Sequence, residues 1–224
     1  MIILNKKNGY QVRALISSTR IAIRNISQAD IPRIVELQRK IYPEVASGQI
    51  YAPFFIEKHL RVFPDGQFCA ELEGKIVGSA TSLVVNLKPQ YKRHRWTDIV
   101  GYGNRTAHDK YGDSLYADDI VIDPLHRYQG IGSALLEARK KLCMRLGLRR
   151  MIGGGRIYNY CLFKDKMSPH QYAMSVVNNH LVDPVLTFQL KNQFKYIKIL
   201  PNYLVDHRSL NFATLIEWNA PKLF

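Results

Sequence analysis

The chain has 224 residues, 46% hydrophobic and 22% charged, a balance that suits one folded domain with a sizeable core. No apolar run approaches the ~20 residues that span a bilayer, and the first four residues are too short for the core of a secretory leader. The expected address is therefore the cytoplasm, with no membrane partner. Lys and Arg number 32 against 18 Asp and Glu, a formal charge of +14, which attracts polyanions such as nucleic acid or phosphorylated small molecules. Cys69, Cys143 and Cys161 and the seven histidines form no CxxC, HxxxH or HExxH pattern. Neither a disulfide framework nor a metal site is expected.

In chain order, residues 1–18 read as a basic N-terminal extension and 19–224 as one α/β domain. RIAIRNIS (20–27) alternates apolar and polar residues as a half-buried strand does. Ser27 or Asp30 can cap the next helix, where Ile31, Ile34, Val35, Leu37, Gln38 and Ile41 have near-helical spacing and Pro32 sits in the tolerant first turn. FFIEKHLRVF (54–63) reads as a second helix, ended by PDG. QFCAEL and KIVGSATSLVVN, separated by Glu73-Gly74, read as a hairpin.

From Leu87 to Asp113 runs a long polar, basic and aromatic loop. Its YKRHRW (91–96) suits a surface loop, a nucleic-acid patch with stacking residues, or a lid over an anionic acceptor. A strand over 114–122 precedes a helix over 130–146, with Ile131, Leu135, Ala138, Leu142 and Leu146 as its apolar stripe and Gly147 at its end. RRMIGGGRI (149–157) is a further strand, whose glycines suit either close backbone approach or, the leading expectation, a bulged strand end. Residues 167–181 and 183–194 look helical, and KYIKILPNYL and LNFATLIEWN look like closing strands.

DPLHRYQGIGSALLEARKK (123–141) puts Gly130 and Gly132 at the mouth of a helix that follows a strand. Amides there, unhindered by side chains, can bind a pyrophosphate, and Arg127 adds a charge-assisted donor. The pattern is neither a P-loop nor a dinucleotide fingerprint, whose third glycine is here Leu135.

In its context, VIDPLHRYQGIGSALLEARKK resembles the acyl-CoA-binding motif of the GNAT acyltransferases, Arg/Gln-x-x-Gly-x-Gly/Ala, filled by Arg127, Gly130 and Gly132. The resemblance covers roughly residues 20–218. It implies an α/β (α+β) fold with a mixed central sheet flanked by helices and two strands splayed at the cofactor site. It implies acetyl-CoA or CoA as co-substrate, without a metal. The pyrophosphate would lie on Arg127, Tyr128, Gln129, Gly130, Ile131, Gly132 and Ser133, and the pantetheine arm against Ile120, Val121 and Ile122. IYPEV, LYADDIVIDP, LGLRRMIGGGRI and MSPHQY are similar to a GNAT subgroup often joined to a carbon–nitrogen hydrolase domain. Such a hydrolase partner would here be a separate chain.

Acyl transfer to an amine, on a small molecule, a peptide or a protein, needs a base to deprotonate the ammonium. Asp118 and Asp119 stand on the corresponding strand, and simple alternation lets at most one of them face the acceptor. The family's late-helix tyrosine, which protonates the leaving thiolate, is replaced by Gln189. Tyr160, Tyr158, Tyr196 and Tyr203 are substitutes, Tyr160 being taken first, and Arg156 is a further substrate or cofactor contact. The leading expectation is direct N-acyl transfer in a ternary complex. Against it stand an acyl-CoA-binding module that regulates a carbon–nitrogen hydrolase, which Gln189 favours, and a basic nucleic-acid-binding protein, whose affinity would fall steeply with salt. A homodimer is left open.

Overall fold

The computed structural model describes residues 21–42, 52–87, 93–101 and 107–221. The proposed N-terminal extension and part of the basic loop lie outside them. Seven strands form one sheet: β1 (Ala22–Asn25), β2 (Gln67–Leu72), β3 (Lys75–Val85), β4 (Ser114–Ile122), β5 (Arg150–Arg156), β6 (Lys195–Leu200) and β7 (Ala213–Asn219). Their order is β1-β2-β3-β4-β5-β7-β6. Neighbours pair antiparallel except β4 and β5, which are parallel. The sheet is therefore mixed.

Helices cover both faces. On one face α4 (Ile131–Arg145), α5 (Pro169–Val177) and α6 (Leu186–Lys191) bury the main core with Phe68, Ala80, Val84, Leu115 and Met151. On the other, α1 (Ile31–Ile41) and α2 (Pro53–Val62) close over Cys69, and α3 (Trp96–Val100) brings Ile99 against Leu83, Val85, Tyr116 and Ile152. Alternation along β3 separates the two faces, the α4 face and the α1 face: Ala80 and Val84 point to the first, Leu83 and Val85 to the second.

Local chemistry explains the ends. Before α1, the Asp30 carboxylate accepts the Ser27 N–H at 2.8 Å and is clamped by Arg24 at 2.7 Å. At α5, Ser168 and Gln171 form a reciprocal cap, with the Ser168 N–H on Gln171 Oε1 at 2.8 Å. Gly147, at φ 66°, ends α4 as expected.

Three expectations need correction. Leu146 is not on the buried stripe: α4 stops at Arg145, so Leu146 is 40% exposed. The loop 87–113 contains the short helix α3. No bulge interrupts β5, which pairs with β7 in unbroken register from Arg150–Asn219 to Arg156–Ala213. Its glycines answer close approach instead: a Cβ on Gly154 would overlap the Tyr203 ring, and one on Gly155 the Gln189 amide.

Candidate active site

Strands β4 and β5 pair only over Ser114–Arg150, Leu115–Met151 and Tyr116–Ile152. Beyond Tyr116 and Ile152 they part, leaving residues 117–122 of β4 without a partner on that edge. Ile120 and Ile122 pack on the main core of the α4 face, and Val121 is buried. All three stand along the open edge. Next comes a short 3-10 turn, Pro124–His126, capped by Asp123, which accepts the Leu125 N–H at 3.0 Å and pairs with Lys40 at 2.8 Å.

The loop then turns through Tyr128 at φ 63° and Gly130 at φ 82° into α4. Its first helical bond is Ala134 N–H to Gly130 C=O, so the amides of Ile131, Gly132 and Ser133 precede the i→i−4 ladder. Arg127, Tyr128, Gln129, Gly130 and Ser133 are exposed, whereas the Ile131 side chain is buried in the core and only its amide can serve a ligand. A Cβ on Gly130 would meet nothing within 4 Å, and one on Gly132 would come to 3.0 Å of the Phe188 ring. Gly130 is thus set by its backbone angle and by the space outside it, and Gly132 by the approach of α6.

The aspartate pair departs from simple alternation. Opposite β3, Thr81 pairs with Asp119 and Ser82 with Ala117, so Asp118 is an inserted residue of a β-bulge. Ala117 and Ile120 pack on the α4 face, while Tyr116 belongs to the α1 face. The insertion therefore turns both Asp118 and Asp119 toward the α1 face, and the simple alternation expected of the pair does not hold. Arg139 supports the bulge from beneath. Its Nη2 donates to the Thr81 carbonyl at 2.6 Å and to the Asp119 carbonyl.

Around the pair, Asp118 accepts the Trp96 Nε1–H at 2.6 Å and the Thr81 hydroxyl at 3.0 Å. Asp119 Oδ1 accepts the Tyr42 hydroxyl at 3.1 Å, and its Oδ2 is buried without a hydrogen-bond partner. Burial, and then the neighbouring Asp118 charge, push the Asp119 carboxyl up to about 6. Beside them runs a buried chain in which His94 Nε2 lies 2.9 Å from the Tyr116 hydroxyl, itself 2.9 Å from that of Tyr203. Burial raises both phenols above their usual range.

The substitute tyrosines scatter. Tyr160 packs in the core of the α4 face and donates to the Met167 carbonyl at 3.2 Å, so it does not join the aspartates; burial raises its phenol. Tyr196 bonds His170 on that same side of the sheet. Tyr203 does reach the α1 face, across Gly154. The Tyr158 ring has the Arg156 and Arg208 guanidiniums 5.1 and 4.4 Å from its centroid. Gln189 lies over Gly155 with a buried, unpartnered Oε1. Sequence reasoning missed Tyr42, Thr81, Trp96, Tyr116 and Arg139. Tyr42 and Tyr116, inside the IYPEV and LYADDIVIDP stretches, Arg139, inside the glycine-motif stretch, and Trp96, inside the basic-aromatic loop, carried some signal. Among the described residues, no group of three or more His, Cys, Asp or Glu could hold a metal ion, and no helix is long and apolar enough to cross a membrane.

A sheet parted between two parallel strands, with helix-mouth amides at the end of the first, defines an acyltransferase-type fold. The chain is similar over 90% or so of its length to solved proteins of this fold; a GNAT-like decarboxylase, GphF, in complex with isobutyryl-CoA covers 89% of this chain and 100% of its own at 20% identity and a TM-score of 0.75. Residues 31–156 match the acetyltransferase (GNAT) family, and the chain belongs to it. The uncharacterized N-acetyltransferase YkwB of Bacillus subtilis (strain 168) is 34% identical over 199 residues, 88% of each chain. The probable hydrolase YhcX of the same organism is 41% identical over 201 residues, 89% of this chain, which spans only 39% of that relative's length.

Proposed function

We propose that the chain is an acyl-CoA-dependent N-acyltransferase, using acetyl-CoA, that passes its acyl group directly to an amine in a ternary complex. The observation that carries this reading is Asp119, a carboxylate with a buried, unpartnered oxygen and a proton affinity raised toward neutrality. Such a group takes a proton from an ammonium at pH 7 more readily than an ordinary carboxylate does. The freed amine attacks the thioester carbon, the C–S bond breaks, and the thiolate leaves. The second proton, lost from the nitrogen as the amide forms, passes through water to that thiolate, whose thiol ionises near ~8.5. The amides of residues 127–133 would hold the pyrophosphate and the parted edge along Ile120, Val121 and Ile122 the pantetheine arm. Family membership and the acyl-CoA carried by GphF support that assignment.

The name and greater length of YhcX, a probable hydrolase, support a hydrolase as partner; the resemblance in sequence makes it a carbon–nitrogen hydrolase, and we place the pair in the cytoplasm. Gln189, which cannot act as an acid, favours the second reading, an acyl-CoA-binding module that modulates such a partner without transfer. Calorimetric titration with acetyl-CoA and CoA at two salt concentrations, followed by thiol release with amines, separates the two. Micromolar binding with amine-dependent release supports transfer. Binding without release for any amine supports the module, and no binding sinks both.

A further inference from the structure

Beside the aspartate pair lies a second charged cluster that the proposed chemistry does not use. Arg156 closes β5 on the α1 face and stacks 5.6 Å from the ring of Tyr42, whose hydroxyl bonds Asp119. The Arg156 guanidinium also lies 5.1 Å from the centroid of the Tyr158 ring, and that of Arg208 lies 4.4 Å from the same ring. Arg156 and Asp119 thus share Tyr42 as a neighbour, and the two guanidiniums share Tyr158.

The charges in this cluster do not cancel. Arg156 pairs with Asp206 at 3.0 Å. Burial works against the Asp206 charge, but hydrogen bonds from Ser209 and the Arg156 guanidinium hold its carboxyl below the usual range, so it stays ionised. Arg208 has no carboxylate partner among the described residues. It donates from Nη2 to Asn159 Oδ1 at 3.2 Å, and its Nε is buried without an acceptor. Two guanidiniums against one carboxylate leave a single positive charge with an unspent donor. A fixed cation of this kind repels a second ammonium and favours a monoanion that can accept from its fork.

We propose that Arg156 and Arg208 form the anion-binding half of the acceptor pocket, and that the acceptor is a small amine carrying one carboxylate, an amino acid. Its ammonium faces Asp118 and Asp119, and its carboxylate faces the guanidinium pair. The assignment rests on the N-acyltransferase reading and narrows its acceptor class. Charge complementarity decides between candidates: a polyamine would satisfy the aspartates and meet repulsion at the arginines, and a dianionic phosphate exceeds the one uncompensated positive charge.

The test uses the whole chain with CoA present. Glycine, β-alanine, L-alanine and L-lysine are titrated by calorimetry, each beside its primary amide, with 2-aminoethyl phosphate as the dianionic comparator. Thiol release from acetyl-CoA is measured with the same panel. The expected result is that at least one amino acid binds about tenfold or more tightly than its amide, and that Arg208→Gln removes most of that preference. Equal affinity for acids and amides, preference for the phosphate, or no binding by any of them overturns the proposal. So does a preference that survives in a folded Arg208→Gln. Acid-selective binding without thiol release leaves the anion site standing and sinks the transferase reading alone. If the variant fails to fold, the acid–amide comparison on the native chain still decides.

Discussion

Replacing Asp118 with Asn isolates the electrostatic coupling that the bulge creates. In the native chain Asp119 is pushed up to about 6 from an ordinary 3.8, by burial first and by the Asp118 charge second. At an effective dielectric of ~20, a like charge ~5–10 Å away costs about 1.5–3 kcal/mol, equivalent to about 1–2 pKa units. Hydrogen bonding from Tyr42 and the Arg139 charge oppose that repulsion, and burial holds the larger share. Those opposing groups stay in place when the Asp118 charge is removed, so Asp118→Asn should lower the Asp119 midpoint by about 1–2 units. Asn can still accept from Trp96 Nε1, so the local geometry has a substitute bond. Arg139→Gln works in the opposite sense, since it removes the cation that favours the charged carboxylate, and should raise the midpoint.

Carbon-13 labelled aspartate followed by NMR across pH 3–9 reads this directly and needs no acceptor; the resonance missing from Asp119→Asn makes the assignment. The acidic limb of kcat/KM should move with the midpoint in both variants. A native Asp119 midpoint near 4, or one that stays put in Asp118→Asn, would refute the reasoning about the pair.

Three further outcomes are expected. Asp119 has a folded-state pKa above its unfolded value, so its contribution to stability is full below about 4 and is lost as the pH rises through about 6. Asp119→Asn should thus gain up to about 3 kcal/mol at pH 8 and almost nothing at pH 3.5 by urea unfolding, while acyl transfer falls by about 10²–10⁴; a variant less stable than the native chain at pH 8 contradicts this. Gly130→Val places a side chain in open space at φ 82°, so it should cost about 1–2 kcal/mol of strain and, by calorimetry, weaken CoA binding more than tenfold. Unchanged affinity in the folded variant would remove the loop as the phosphate site. Gly154→Ala sets a Cβ into the Tyr203 ring and should cost about 1–3 kcal/mol, because the displaced ring breaks the hydrogen bond between the Tyr203 and Tyr116 hydroxyls; an unshifted thermal midpoint would contradict the close approach.

How far each feature was legible follows from how local its cause is. The strand, glycine turn and helix from Ser114 to Arg145 were readable because alternation, φ-permissive residues and 3.6-residue spacing are properties of neighbouring residues. The orientation of Asp118 and Asp119 was not, because a bulge is a property of two strands in register, and nothing in LYADDIVI marks an inserted residue. Tyr42 and Trp96 arrive from the end of α1 and the start of α3, on connections whose paths are set by packing. Arg139 reads as one more cation on a basic helix until the bulge presents the Thr81 and Asp119 carbonyls beneath the sheet, where only a long donor from α4 reaches them. The bulge therefore accounts for three features together: the shared direction of the carboxylates, their raised proton affinity, and the burial of an arginine. A change that restored regular pairing between β3 and β4 should turn one aspartate away, lower the pKa of the other, and leave Arg139 without its acceptors at the same time.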